Sequence, residues 1–247
     1  MSIRILLNGA NGRMGKVAYS AITADPDLEL VATAGSHDEL QQVIIQSKPQ
    51  VVIDLTTARV VYENTRTILA TGCYPVIGTS GLTSIQITSL QQLAAEKKLG
   101  GIIVPNFSIG AVLMMKLAAQ VTPFFSHIEI VEQHHEKKVD APSGTAIRTA
   151  ELIAQCRSKK IPLELKETLP GARGASYYDI PIHALRLPGV VAKQQVIFGT
   201  QGETLTLEHQ TTDRQAFMPG LLFACKHVLQ LTQLVYGLEE ILDFESV

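Results

Sequence analysis

The run Gly9-Ala-Asn-Gly12-Arg-Met-Gly15 constrains this chain more than any other feature, because of what stands on either side of it. It is reached directly from the apolar segment Ile3–Leu7 and leads into the helical pattern of Lys16–Ala24. An apolar run with no charge after Arg4 reads as a buried parallel strand. Strand, glycine turn and helix in that order make a G-x-x-G-x-x-G variant of the dinucleotide fingerprint. Gly9 permits the tight turn, Gly12 lets the backbone approach a pyrophosphate, and Gly15 lets the helix pack on the strand. Three glycines alone would say little. Their position between strand and helix makes the signal strong.

The elements that follow keep alternating. Leu28–Ala34, Val51–Leu55, Tyr74–Ile77 and Gly101–Val104 read as strands, and Asp38–Gln46, Arg59–Ala70 and Ser84–Lys97 as helices. That order predicts a doubly wound parallel sheet of Rossmann type, whose ligands lie beyond the carboxyl ends of its strands. The loops expected at that edge are Thr56-Thr57, Gly78-Thr79-Ser80-Gly81 and Val104-Pro105-Asn106-Phe107. Ordinary turn chemistry accounts for Thr56-Thr57 equally well. One expected feature is missing: the second strand ends Ala34-Gly35-Ser36-His37, without the carboxylate that commonly bonds the ribose, and Asp38 is read as opening the next helix.

After Phe107 the pattern changes. A helix is expected over Ile109–Val121, stopped by Pro123, and the strands become more polar and alternating. Glu164–Glu167, Ile182–Leu187, Lys193–Phe198 and Thr204–Gln210 read as strands, with a hairpin turn at Gly199–Gly202 and a loop carrying Arg173. Met218–Val235 reads as one helix returning to the first domain. The fold class predicted is α/β, a parallel Rossmann-type sheet plus a second α+β domain with a mixed sheet. The domains expected are 1–107 with 214–247 for the dinucleotide, and 108–213 for substrate and oligomerisation.

The stretch Glu129–Thr145 carries the chemistry. A strand delivers His134 and His135, whose side chains point to opposite faces, then Lys137 and Lys138, then Asp140-Ala-Pro-Ser-Gly-Thr145 turning into a helix. Imidazole, ammonium and the N–H groups of Ser143, Gly144 and Thr145 at a helix N-terminus suit an anionic substrate. No metal is expected: the spacing after His135 is not that of a helical zinc motif, and adjacent lysines repel a cation. Ser143 follows Pro142 with no nucleophile elbow around it.

Composition removes other classes. A net charge of −2 gives no basic surplus for nucleic acid or an anionic membrane. No apolar run approaches the roughly 20 residues that span a bilayer. The start MSIRILLNGANG has no signal-peptide architecture, and Cys73, Cys156 and Cys225 form no disulfide framework, so a cytoplasmic location is expected. At this point the residues leave open a Rossmann dehydrogenase, such as one of the semialdehyde or homoserine type, and a non-catalytic dinucleotide sensor.

The string Glu132-Gln-His-His-Glu-Lys-Lys-Val-Asp-Ala-Pro-Ser-Gly-Thr-Ala146 closely resembles the signature of the 4-hydroxy-tetrahydrodipicolinate (dihydrodipicolinate) reductases of lysine and diaminopimelate biosynthesis. The resemblance extends over essentially the whole chain, through Gly9–Gly15, Gly78-Thr79, Pro105–Ser108, Arg186-Leu-Pro-Gly189 and Phe198–Glu203. It implies NADPH or NADH as reductant, a cyclic dicarboxylate substrate and a homotetramer. By motif it implies His134 as acid/base and Lys138 as proton donor, with His135, Lys138, Ser143, Gly144 and Thr145 on the substrate. Gly9, Ala10, Asn11, Gly12, Arg13, Met14, Gly78, Thr79, Ser80, Val104, Pro105, Asn106, Phe107 and Arg214 are implied on the cofactor side. Ser36 and His37 stand where many members carry an acidic residue, which favours NADPH by removing repulsion. Histidine titrates in the range the protonation needs, and an ammonium both offsets substrate carboxylates and can donate a proton.

Overall fold

The computed structural model describes residues 2–157 and 166–242. In chain order the elements are β1 (Ile3–Asn8), α1 (Arg13–Ala24), β2 (Leu28–Ala34), α2 (Leu40–Ser47), β3 (Val51–Asp54), α3 (Val61–Ala70), β4 (Tyr74–Ile77), α4 (Ser84–Lys97) and β5 (Gly101–Ile103). They continue with α5 (Ile109–Val121), β6 (His127–His134), α6 (Gly144–Cys156), β7 (Ala175–Tyr177), β8 (Ile180–Arg186), β9 (Ala192–Thr200) and β10 (Glu203–Thr211). The chain ends with α7 (Met218–His227) and β11 (Leu234–Tyr236). It divides into two compact units, Met1–Ser108 with Arg214–Val247, and Ile109–Asp213.

The first unit is built on a parallel sheet in the order β11-β5-β4-β3-β1-β2. Ile5, Leu6, Leu7, Val51, Val52 and Ile53 are fully buried. This explains why the strands read as unbroken apolar runs: both faces are covered, and each such side chain contributes roughly 1.5–3 kcal/mol on burial. The strand order reverses between β1 and β3, which sets the crevice for a ligand at their carboxyl ends. Thr83 starts α4 through a reciprocal capping box with Gln86.

Several expected helices of this unit are corrected, α3 among them, which starts at Val61 and not at Arg59. Met218–Val235 is not one helix. α7 stops at His227, a 3-10 turn covers Val228–Gln230, and Leu234–Tyr236 becomes an edge strand parallel to β5. The strand satisfies backbone groups of β5 that a helix would leave unpaired. Gly100 permits the approach, because a Cβ there would collide with the carbonyl of Leu231. A further correction is at α1, which begins at Arg13 and not at Lys16, so that Arg13 and Met14 are helical.

The second unit is a mixed sheet, β10-β9-β6-β8-β7. β6 runs parallel to β8 and antiparallel to β9, and β9–β10 is the expected hairpin. Ile128, Ile130, Ile180, Ile182, Val196 and Phe198 are buried together on one face, and α5 and α6 pack on the sheet. Strand β7 has no counterpart among the expected strands. Of the predicted strand Glu164–Glu167, the first two residues lie outside the described residues and Lys166–Glu167 are loop.

Candidate active site

At the carboxyl edge of the parallel sheet, Gly9 adopts φ +88°. A Cβ on it would collide with the carbonyl of Leu55, and a Cβ on Gly15 with the carbonyl of Gly9. These two glycines are therefore demanded by the chain itself. Gly12 is different, since its missing Cβ would meet Gly9 O at 3.3 Å. It is the N-cap of α1, and no side chain caps that helix end. The N–H groups of the first turn are thus left to an anion, with the helix dipole in support. The arrangement fits the pyrophosphate of a dinucleotide.

The other predicted cofactor residues gather at the same edge with different freedoms. Thr79 Oγ1 donates to Asp54 Oδ1 at 2.6 Å and accepts the Thr56 N–H at 2.7 Å, while Ser80 is exposed. Asn106 Oδ1 accepts the Ser108 N–H at 2.8 Å, which fixes the turn after Val104 and Pro105. Val104 and Phe107 are buried, and Phe107 closes over Gly78, where a Cβ would strike its ring. Ala10 and Asn11 line the glycine loop, and the Asn11 amide lies near Gly35. Arg214 is half-buried and opens the 3-10 turn Arg214–Phe217, which packs on α1.

The end of β2 departs from expectation. Ser36 and His37 form a turn there, but Asp38 does not open the next helix, which starts at Leu40. Its carboxylate bends back to accept the Gly35 N–H at 2.8 Å. A short acid can take up the donor left as the chain quits the strand. A carboxylate does therefore stand at the end of the second strand.

In the second unit, the predicted residues converge on Glu132, to which the sequence assigns no role. It lies two residues before His134, hence on the same strand face, and is fully buried. Its Oε2 meets His134 Nδ1 at 2.6 Å and Arg186 at 2.9 Å. Its Oε1 accepts from Arg186 at 2.9 Å and from the Ser143 N–H at 3.1 Å. Burial alone would raise this acid, but the hydrogen bonds from His134 and Arg186, with their charges, outweigh it and hold Glu132 below the usual carboxylate range. An ionised carboxylate only accepts, so Nδ1 of His134 carries the hydrogen and Nε2 is left to exchange a proton.

Arg186 stands opposite His134 in the β6–β8 register and also donates to the Asp140 carbonyl at 2.6 Å. Asp140 in turn receives Lys138 Nζ at 2.8 Å on each carboxylate oxygen. Burial would raise Asp140, and the Lys138 ammonium more than offsets it, leaving the acid lowered. Glu132, Arg186 and Asp140 therefore connect His134 to Lys138. The sequence carried a signal for Glu132: a carboxylate continuing the inward positions Ile128 and Ile130.

One part of the anion reading is overturned. The Ser143 N–H is engaged by Glu132, and Ser143 Oγ caps α6 by accepting from Ala146 at 3.2 Å. The hydroxyl hydrogen remains as a donor, beside Gly144 and Thr145 at the helix start. Gly144 faces open space, with nothing within 4 Å of where a Cβ would stand. His135 follows β6 in the turn closed by the Lys138 N–H to the His135 carbonyl, 3.0 Å.

A glycine-loop edge on a parallel sheet, with a separate sheet bearing imidazole, ammonium and a helix N-terminus, defines a nicotinamide-dependent oxidoreductase. Residues 3–107 match the family model for the dihydrodipicolinate reductase N-terminus, and residues 110–242 match that for its C-terminus. The chain is 54% identical over 243 residues to the 4-hydroxy-tetrahydrodipicolinate reductase of Legionella pneumophila (strain Lens), covering 98% of this chain and all of that one. It is 49% identical to that of Coxiella burnetii (strain Dugway 5J108-111), with 98% and 100% coverage. The dipicolinate-bound dihydrodipicolinate reductase of Paenisporosarcina sp. TG-14 superposes with a TM-score of 0.84 at 43% identity, covering 98% of this chain and 100% of that one. The chain belongs to the dihydrodipicolinate reductase family, the NAD(P)H-dependent reductases of lysine and diaminopimelate biosynthesis.

Proposed function

We propose that this chain reduces the cyclic dicarboxylate 4-hydroxy-tetrahydrodipicolinate to tetrahydrodipicolinate, with His134 and Lys138 handling the proton. The Gly9–Met14 loop, Ser36, His37, Gly78–Ser80, Val104–Phe107 and Arg214 would hold NAD(P)H, which supplies the hydride when bound. The observation that carries the proposal is the buried Glu132 carboxylate, which bonds His134, Arg186 and the N-cap of α6 at once. It orients His134 and ties the anion-facing helix start to it. A substrate carboxylate would compete with Asp140 for the Lys138 ammonium, while Ser143, Gly144, Thr145 and His135 offer donors to the other carboxylate. Pyridine-2,6-dicarboxylate, a planar mimic of the ring, is expected to raise the melting temperature in the presence of NADPH, and less so in Lys138→Ala. Equal protection of both proteins would remove Lys138 from the substrate set.

The two nicotinamides differ by a 2′-phosphate. Ser36 and His37 offer it a hydroxyl and a ring, Arg13 opens α1 two residues after Asn11, whose amide lies near Gly35, and the Asp38 carboxylate is turned onto Gly35. We expect kcat/KM for NADPH to be at least that for NADH. Asp38→Asn should tilt the ratio further toward NADPH, and Ser36→Glu toward NADH. A wild-type preference of many-fold for NADH would refute this.

The open face of the mixed sheet supports a homotetramer. Val131 and Ile197 are half-buried and Leu185 exposed on the side opposite the helices, in register with Gln195, Thr206 and Gln133. An apolar stripe among polar strand residues suits a two-fold, self-complementary contact. Light scattering at micromolar concentration should give four times the chain mass, and a monomer mass would contradict it. Among the described residues no helix is long and apolar enough to cross a membrane. A cytoplasmic location accords with biosynthetic chemistry of this kind.

A further inference from the structure

Asp54, the last residue of β3, is fully buried, and its ring of donors joins segments that are far apart in the chain. Oδ1 accepts from Thr79 Oγ1 at 2.6 Å and Thr56 Oγ1 at 2.7 Å, and shares the Thr56 N–H at 3.2 Å. Oδ2 accepts from Asn64 Nδ2 at 2.7 Å and Asn8 Nδ2 at 3.0 Å. Among the described residues no Lys, Arg or His pairs with it. A buried carboxylate held only by neutral donors is unusual, because burying a charge is costly unless every acceptor site is met.

The donors come from four places: the end of β1, the β3–α3 loop, α3, and the β4–α4 loop. Asn8 and Asp54 face each other in register across the β1–β3 boundary, where the strand order reverses. The glycine loop starts one residue after Asn8, and its Gly9 lies against Leu55 and Thr56. The Asp54 backbone carbonyl accepts the Gly78 N–H at 2.9 Å.

We propose that Asp54 is the positioning residue of the dinucleotide site: its side chain pins the Gly9–Gly15, Thr56-Thr57 and Gly78–Ser80 loops in one relative geometry. It is too buried to touch a ligand itself, so it acts through those loops. This also gives Thr56-Thr57 a role beyond a turn. The inference rests on the first unit as the NAD(P)H-binding unit, for which wild-type binding is the reference.

An amide at position 54 keeps one oxygen for the two threonines but turns N–H groups toward Asn8 and Asn64. Those amides must rotate half a turn to receive them, so the fold survives while the loops loosen. The test is the Kd for NADPH and for NADH, read by nicotinamide fluorescence. Asp54→Asn should weaken both by about tenfold and by the same factor, since the 2′ position is not involved. Asn64→Ala lies outside the predicted cofactor set and can reach the site only through Asp54 and Thr56. It should weaken both by about threefold and raise KM for NADPH while kcat holds. Val52→Ala, a cavity in the same strand, should lower the melting temperature yet leave both Kd values within about twofold. If Asp54→Asn binds like wild type, the proposal fails. Where that variant does not fold, Asn64→Ala decides, and wild-type binding by it overturns the proposal. So does Val52→Ala weakening binding as much as Asn64→Ala.

Discussion

Lys138→Ala is expected to lower kcat by roughly 10²–10⁴-fold, the range a positioned proton donor contributes, while leaving the melting temperature nearly unchanged. The bond it loses in the ligand-free protein is to Asp140, whose side chain is 62% exposed against 21% for Lys138 itself, so that the pair is open to water from the acid's side. Exposed ion pairs stabilise by roughly 0–1 kcal/mol, so the fold barely registers the change. A bond from the ammonium to a substrate carboxylate is worth roughly 1.5–3 kcal/mol. That loss appears in KM and accounts for only part of the defect. His134→Gln should lower kcat with less effect on affinity. Steady-state kinetics on both variants decide the point, and near wild-type kcat in both would end the acid/base assignment.

Glu132→Ala should have the opposite character, unfolding the site before the chemistry can be measured. It leaves Arg186, a guanidinium only 19% exposed, without its carboxylate. Breaking a buried pair in this way costs roughly 3–5 kcal/mol, because the surviving charge is uncompensated. For a chain of this size the melting midpoint should fall by on the order of 10 °C. The N-cap of α6 and the anchor of His134 Nδ1 go with it. Glu132→Gln retains shape and one acceptor, so it should fold better and still turn over slowly. The acid limb separates wild type from Glu132→Gln. Glu132 lies below its ordinary value of 4.5 in the folded state. Its contribution is therefore complete above that pH and is lost as the pH falls through the folded value. Wild type should lose stability below pH 4.5 more steeply than Glu132→Gln. Parallel melting curves against pH, or an unchanged midpoint in Glu132→Ala, would contradict the assigned role.

What is legible in the chain follows from how far apart the interacting residues lie. The glycine loop is legible because strand, turn and helix are consecutive and Gly15 is fixed by Gly9 and Ala10 of the same loop, whereas the Leu55 carbonyl that fixes Gly9 lies far along the chain. The alternation of β6 is legible for the same reason, and with it His134. Arg186 belongs to a motif that reveals no role for it, since nothing in one dimension says that β8 pairs with β6 and sets Arg186 beside His134. The Ser143 N–H looks free in the sequence because its acceptor, Glu132, lies on another element. Leu234 and Val235 read as helix because the apolar periodicity of α7 runs on into them, and the edge of β5 decides otherwise. Asp38 falls outside its expected helix by a boundary of two residues, since α2 starts at Leu40.

Turnover of the cyclic dicarboxylate is what the assigned residues are arranged to perform. Folded protein should be mixed with NADPH or NADH and with substrate formed in place from pyruvate and aspartate semialdehyde by the condensing enzyme. The near-ultraviolet absorbance of the reduced nicotinamide is then followed. Both cofactors should be oxidised in proportion to the substrate formed, and the oxidation should be nearly abolished in Lys138→Ala. No oxidation of either cofactor by protein shown to be folded and to bind NADPH would contradict the claim.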